Sequence, residues 1–157
     1  MGGRIDVHEL RKGLAETRQY LLSHHPPSEY DRCYSPVVFG RRVRLCARCS
    51  GIYPGIAAGV GVGLATGASA GLLVLSLLPL PALLDWALTA STDRHGRNPV
   101  RTASGALLGL GYGLGLYRLL VLGDGAVLAV GLAYALLAGF LLAAHRGRLG
   151  ASLFPLL

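Results

Sequence analysis

Charged residues are scarce in this chain: Asp, Glu, Lys and Arg make up 15% of its 157 residues, against roughly 25% in soluble domains. From Cys49 to Leu84 there is no charged residue at all. Such poverty of charge beside long apolar runs excludes a disordered chain. The 23 glycines have no three-residue period, which excludes a collagen helix. Several chemistries also lack their residues. The glycine-rich strings never end in Lys-Ser or Lys-Thr, as a phosphate-cradling loop would, and no H-E-x-x-H zinc-protease motif occurs. The C-x-x-C motif is followed by Ser50 where covalent haem attachment needs His. The first 48 residues contain no apolar stretch behind a basic start, so no cleavable signal is expected and insertion falls to the internal helices.

Apolar residues reach 52% and the mean hydropathy is +0.50, values expected of a membrane protein. The length allows one compact domain with a small appendage. The apolar stretch from Cys49 to Leu84 is far longer than the roughly 20 residues needed to cross a bilayer. It is broken by small and polar residues at 65–71, and further breaks fall at 89–100 and 122–125. The expectation is an all-α membrane protein with four transmembrane helices near 50–66, 70–88, 102–121 and 125–144, preceded by a small N-terminal cytoplasmic Cys-rich cap. Three parts follow: an amphipathic helix and Cys/His-containing cap over 1–48, the four-helix domain over 49–145, and a tail over 146–157. Pro79 and Pro81 should kink the second helix near its end.

The net charge of +7 matters through its placement, since nine of the fifteen basic residues precede Cys49. Arg94, Arg97 and Arg101 flank the middle loop and Arg146 and Arg148 the tail, whereas the other two connections have none. The positive-inside bias then places both termini and the middle loop on the cytoplasmic side of the cell membrane. The bilayer and its anionic headgroups are the expected partners, with a protein partner or a second copy also open; nucleic acid is not expected. Arg118 should snorkel or pair with Asp124. Asp6 and Glu9 suggest a capping box for a short interfacial helix carrying Leu10, Leu14, Thr17 and Leu21 on one face. A hairpin turned at Gly40 fits residues 34–46. Glycines at 51, 55, 59, 63 and 67, and at 105, 109 and 113, give smooth faces where another backbone can approach.

All three cysteines lie at or before the first apolar run. Cys46 and Cys49 have the spacing that lets two thiolates converge on one metal ion or close a redox disulfide. Cys33, brought back through Gly40, can supply a third ligand, and His24 or His25 a fourth, making zinc in a Cys3His tetrahedron the simplest closed site. Unligated cysteines and thiol redox chemistry remain alternatives, and a reducing compartment argues against a structural disulfide. A second set of polar residues faces the same side. Asp85 stands near the cytoplasmic end of the second helix, with Arg94, Arg97 and Arg101 as candidate partners for an anchoring ion pair. In a sharper reading, Asp85, His95, Arg97 and Arg101 form a substrate or anion site: His95 is a metal ligand or a base oriented by Asp85, and the two arginines hold a phosphate. The functional expectation is thus an integral membrane scaffold, sensor or partner-binding module with a metal-organised cap. The rival is a membrane enzyme or transporter handling a lipid phosphate or an ion.

The motif R-C-Y-S-P from Arg32, the run F-G-R-R-V-R-L-C-A-R-C-S-G-I-Y-P-G from Phe39, the Asp85 segment and R-N-P-V-R-T-A-S-G ending at Gly105 together resemble the DUF2085 family of predicted small integral membrane proteins. The resemblance spans roughly residues 20–115. It matches the family pattern at Cys33, Cys46 through Tyr53, Asp85, Asn98, Arg101 and Gly105. Thr89 is followed by Ala90 where the family carries Gln. The resemblance implies an architecture and brings no activity with it.

Overall fold

Small residues, placed four apart, decide how this chain packs. In the computed structural model, which describes residues 7–9, 11–13, 23–67, 70–91 and 96–153, helix α1 (Cys49–Thr66) buries Gly51, Gly55, Gly59 and Gly63 along one stripe. Helix α4 (Asn98–Leu120) presents Gly105, Gly109 and Gly113 in return. The two run parallel with their backbones in contact. A Cβ added at Gly109 would fall 2.2 Å from the Ile52 carbonyl oxygen, and one at Gly55 would fall 2.5 Å from that of Ala106. At this range only glycine fits, and dispersion plus weak Cα–H···O contacts can hold helices that gain little from burial in lipid. The seam closes on the ring of Tyr117, which lies against Gly63. Gly67 then ends α1 in the left-handed conformation, its N–H bonded to the Gly63 carbonyl.

Between these helices the chain forms α2 (Leu72–Leu77) and α3 (Leu80–Ser91). The break falls at Leu78 and Pro79, since Pro79 and Pro81 carry no N–H to continue the ladder. The prolines do interrupt the helix, but in its first half and not near its end as expected. A final long helix, α5 (Ala126–Leu153), continues past His145 into the stretch expected as a tail. It is tied to α2 by the Tyr134 hydroxyl, which donates to the Ser76 carbonyl. At the turn before it, the Arg118 Nε donates to Asp124 Oδ2 at 2.7 Å, as anticipated, and its Nη1 donates to the Ala70 carbonyl at 2.7 Å.

The four-span, all-α fold class needs correction. Among the described residues three stretches are long and apolar enough to cross a membrane: Cys49–Thr66, Leu72–Ala90 and Ala126–His145. Helix α4 is not among them. Its glycines, Arg101 and Arg118 dilute the apolar character that a lipid-facing helix needs, and α4 is instead the helix against which α1, α2, α3 and α5 all pack. Counting uncharged runs could not distinguish a helix shielded by neighbours from one facing lipid.

The expected Cys-rich cap is also not a distinct unit. A 3₁₀ helix (Pro27–Arg32) leads into one interrupted hairpin, in which β1 (Cys33–Tyr34) pairs antiparallel with β4 (Leu45–Cys46), and β2 (Val37–Val38) with β3 (Arg41–Arg42). It turns at Phe39 and Gly40, both at positive φ, as a tight I′ hairpin turn requires. Cys33 and Cys46 lie opposite one another on β1 and β4, and Cys49 already belongs to the first turn of α1. The hairpin leans on the start of α4. The Tyr34 hydroxyl bonds to Thr102 Oγ1 at 2.9 Å, the Thr102 hydroxyl donates to the Ala47 carbonyl at 2.8 Å, and Asn98 Nδ2 donates to the Asp31 carbonyl at 2.9 Å. Residues 7–9 and 11–13 are helical. Asp6, Leu10, Leu14, Thr17 and Leu21 of the expected interfacial helix lie outside the described residues.

Candidate metal centre

Pairing of β1 with β4 puts Cys46, almost fully buried, at the end of the hairpin that meets the first turn of α1. The chain ahead of the 3₁₀ helix lies against this point because Pro26 and Pro27 prevent a helix from running straight into it. Two imidazoles are delivered there. His24, His25 and Cys46 bring one ligand atom each to within 4.8 Å of one another. His25 Nε2 is 3.4 Å from Cys46 Sγ, and His24 Nδ1 is 3.9 Å from Cys49 Sγ. A tetrahedral zinc with Zn–S about 2.3 Å and Zn–N about 2.0 Å places such ligand pairs about 3.5 Å apart, so both separations suit a shared ion. Mixed imidazole and thiolate donors are the set that borderline-soft divalent metals prefer.

The other nitrogen of His25 is also engaged. Nδ1 lies 2.9 Å from Glu29 Oε2, one helical turn further on, and Arg32 Nη1 is 3.4 Å from the same carboxylate oxygen. A carboxylate on the far nitrogen fixes the tautomer that leaves Nε2 free for a metal. Glu29 was not singled out from the sequence. The signal was available, since an acid four residues after a candidate histidine ligand is a ready orienting group. Burial, and then the neighbouring His25, hold the His24 pKa below its usual value, while Glu29 opposes them. That favours the neutral imidazole, the form that ligates metals.

The cluster combines two histidines with one cysteine, where the expectation was a Cys3His site. Both histidines approach Cys46, where one was expected to complete a site built on three thiols. Cys33 and Cys49 are both outside this cluster: the Cys33 sulfur lies 3.1 Å from the Ser23 hydroxyl, the Cys49 sulfur lies beside His24, and all three cysteines are free thiols.

The second polar set is arranged differently from the expected loop. Asp85 pairs with Arg48, the arginine inside the C-A-R-C motif, and neither Arg97 nor Arg101 bonds to it. Asp85 faces the start of α1, where α3 returns to the same end of the bundle, so among the described residues its ion-pair partner is 37 positions away. Thr89 donates its hydroxyl to the Asp85 carbonyl at 2.7 Å. Arg97 is exposed at the N-cap of α4. Arg101 is only 5% exposed and donates to Asn98 Oδ1 at 3.1 Å. His95, Asp93 and Arg94 lie outside the described residues. A cavity of about 340 Å³ joins the two sets, lined by His24, His25, Cys46 and Cys49 on one side and by Arg48, Trp86 and Arg101 on the other.

No curated protein and no solved structure matches the chain. Residues 30–115, more than half of its length, match the family model described as predicted membrane protein (DUF2085), a segment that includes Cys46, Cys49, Asp85 and Arg101, and the chain belongs to that family.

Proposed function

We propose that this is a multi-span membrane protein whose polar segment before the first apolar helix is clamped onto the helices by a zinc ion, held by His24, His25, Cys46 and Cys49. The observation that carries this reading is the convergence of ligand atoms from His24, His25 and Cys46 within 4.8 Å, with Cys49 Sγ, outside that cluster but 3.9 Å from His24 Nδ1, as the fourth ligand proposed. Four protein ligands make a closed, structural site. The ion would supply cohesion: it ties the segment before the 3₁₀ helix to the junction of β4 and α1, where the hairpin has few buried side chains of its own. Held in this way, the basic hairpin becomes a rigid platform at one end of the helices, suited to a scaffold or sensor role.

That end carries the arginines of β3, the C-A-R-C motif and the start of α4, which supports a cytoplasmic placement for it.

The test is metal analysis of detergent-purified protein prepared under reducing, chelator-free conditions. One zinc per chain is expected, falling to a small residue in Cys46→Ser. A correctly folded, metal-free protein that also fails to take up added zinc would overturn the proposal.

A further inference from the structure

We infer that the protein binds a phospholipid of net negative charge, with its phosphate at Arg48 and Arg101 and an acyl chain in the groove between α3, α4 and α5. Two independent features support this inference, and neither depends on the metal.

The first is a buried arginine with no carboxylate partner among the described residues, beside a second arginine that keeps one unsatisfied nitrogen. Arg101 is 5% exposed, and among the described residues its guanidinium has the Asn98 amide oxygen as side-chain partner and no carboxylate. Arg48 spends one terminal nitrogen on Asp85, but its Nε is buried with no hydrogen-bond partner. Buried guanidinium donors without acceptors are costly. A phosphate accepts paired hydrogen bonds from such groups and offsets their charge.

The second is a change of chemistry across a shared wall. Besides the cavity that Arg48 and Arg101 line, a groove of about 420 Å³ is lined by Ala82 and Leu83 of α3, Leu108 of α4, and Ala135, Ala138 and Leu142 of α5, almost all of it apolar. Arg48 and Trp86 line both spaces. An arginine-lined pocket that shares Arg48 and Trp86 with an apolar groove matches an amphiphile with an anionic head and a hydrocarbon tail. A small water-soluble anion would leave the groove unused, and an uncharged lipid would leave Arg101 without a counter-charge.

Trp86 is the single tryptophan of the chain and stands at the junction, so its fluorescence reports directly. Full-length protein in phosphatidylcholine nanodiscs is titrated with phosphatidate brominated on its acyl chain, and in parallel with phosphatidylcholine brominated in the same way. Phosphatidate should quench Trp86 saturably, at a mole fraction at least about tenfold lower than phosphatidylcholine requires. Arg101→Gln should abolish that preference, and Ala138→Phe, which fills the groove, should reduce the quenching. Equal quenching by the two lipids would identify ordinary boundary lipid and overturn the inference. Displacement of phosphatidate by glycerol 3-phosphate or inorganic phosphate at comparable concentration would overturn it in favour of a soluble-anion site. If Arg101→Gln does not fold, the comparison of the two lipids on the unmodified protein still decides.

Discussion

The guanidinium of Arg48 reaches from the N-cap of α1 to the carboxylate of Asp85 on α3, joining the cysteine motif to the far wall of the cavity. The pair is only partly exposed, so its loss should be felt more than that of a surface ion pair. Asp85→Asn and Arg48→Gln should each destabilise the protein by about 1–3 kcal/mol, and the double variant by less than the sum. Thermal or denaturant unfolding of all four proteins in one detergent checks this. Strict additivity would mean that the two side chains do not act on each other.

The carboxylate behind His25 tests the metal site without touching a ligand. Glu29→Gln should lower zinc affinity about 10–100-fold, measured by competition with a chromophoric chelator. Because Arg32 also contacts Glu29, Arg32→Gln is the control and should leave zinc affinity nearly unchanged.

The three cysteines should separate cleanly. Cys46→Ser should release the metal and Cys49→Ser should weaken it, whereas Cys33→Ser should keep full stoichiometry because Cys33 faces Ser23. Zinc content per chain distinguishes this outcome from the three-thiol site that the spacing suggested.

The glycine seam predicts a sharp contrast between neighbours on one helix. Gly59→Ala puts a methyl group 2.6 Å from the Leu110 carbonyl oxygen and should cost about 1–3 kcal/mol. Gly61→Ala meets nothing within 4 Å and should be neutral or stabilise by up to about 1 kcal/mol. Unfolding of the two variants side by side reads the difference.

At the opposite end, the Ala126 N–H first, and Arg118 second, hold the Asp124 carboxyl below its ordinary value. A depressed carboxylate pKa contributes stability above the ordinary value of 3.8, and that contribution is lost as pH falls through the lower folded value. Asp124→Asn should therefore lower Tm at neutral pH, and its difference from the parent should vanish in strong acid. A difference that persisted there would point to a cause other than charge.

Local chemistry was readable from the sequence. Pro79 and Pro81 announce the break between α2 and α3, Gly40 the hairpin turn, and four-residue glycine spacing the seam, because each acts within a few residues of itself. The Arg118–Asp124 pair was readable for the same reason. What depended on distant chain was not. Asp85 found Arg48 because two helices return to the same end, and no spacing encodes that. That both His24 and His25 come near Cys46 depends on the path of the chain into the 3₁₀ helix, which no spacing encodes. The count of apolar spans was misjudged at α4, where glycine and arginine lower the hydropathy of a helix that its neighbours cover.

The parallel contact between α1 and α4 also constrains biogenesis. The chain from Gly67 to Arg97 must emerge, turn and return before Gly109 can meet Ile52. Until then the notched face of α1 has no backbone to receive. Since α4 is not among the stretches apolar enough by composition to cross a membrane, the stripe on α1 would serve as the template that receives it, and a bulky residue along that stripe would be expected to arrest maturation at a half-assembled intermediate as well as loosen the finished bundle.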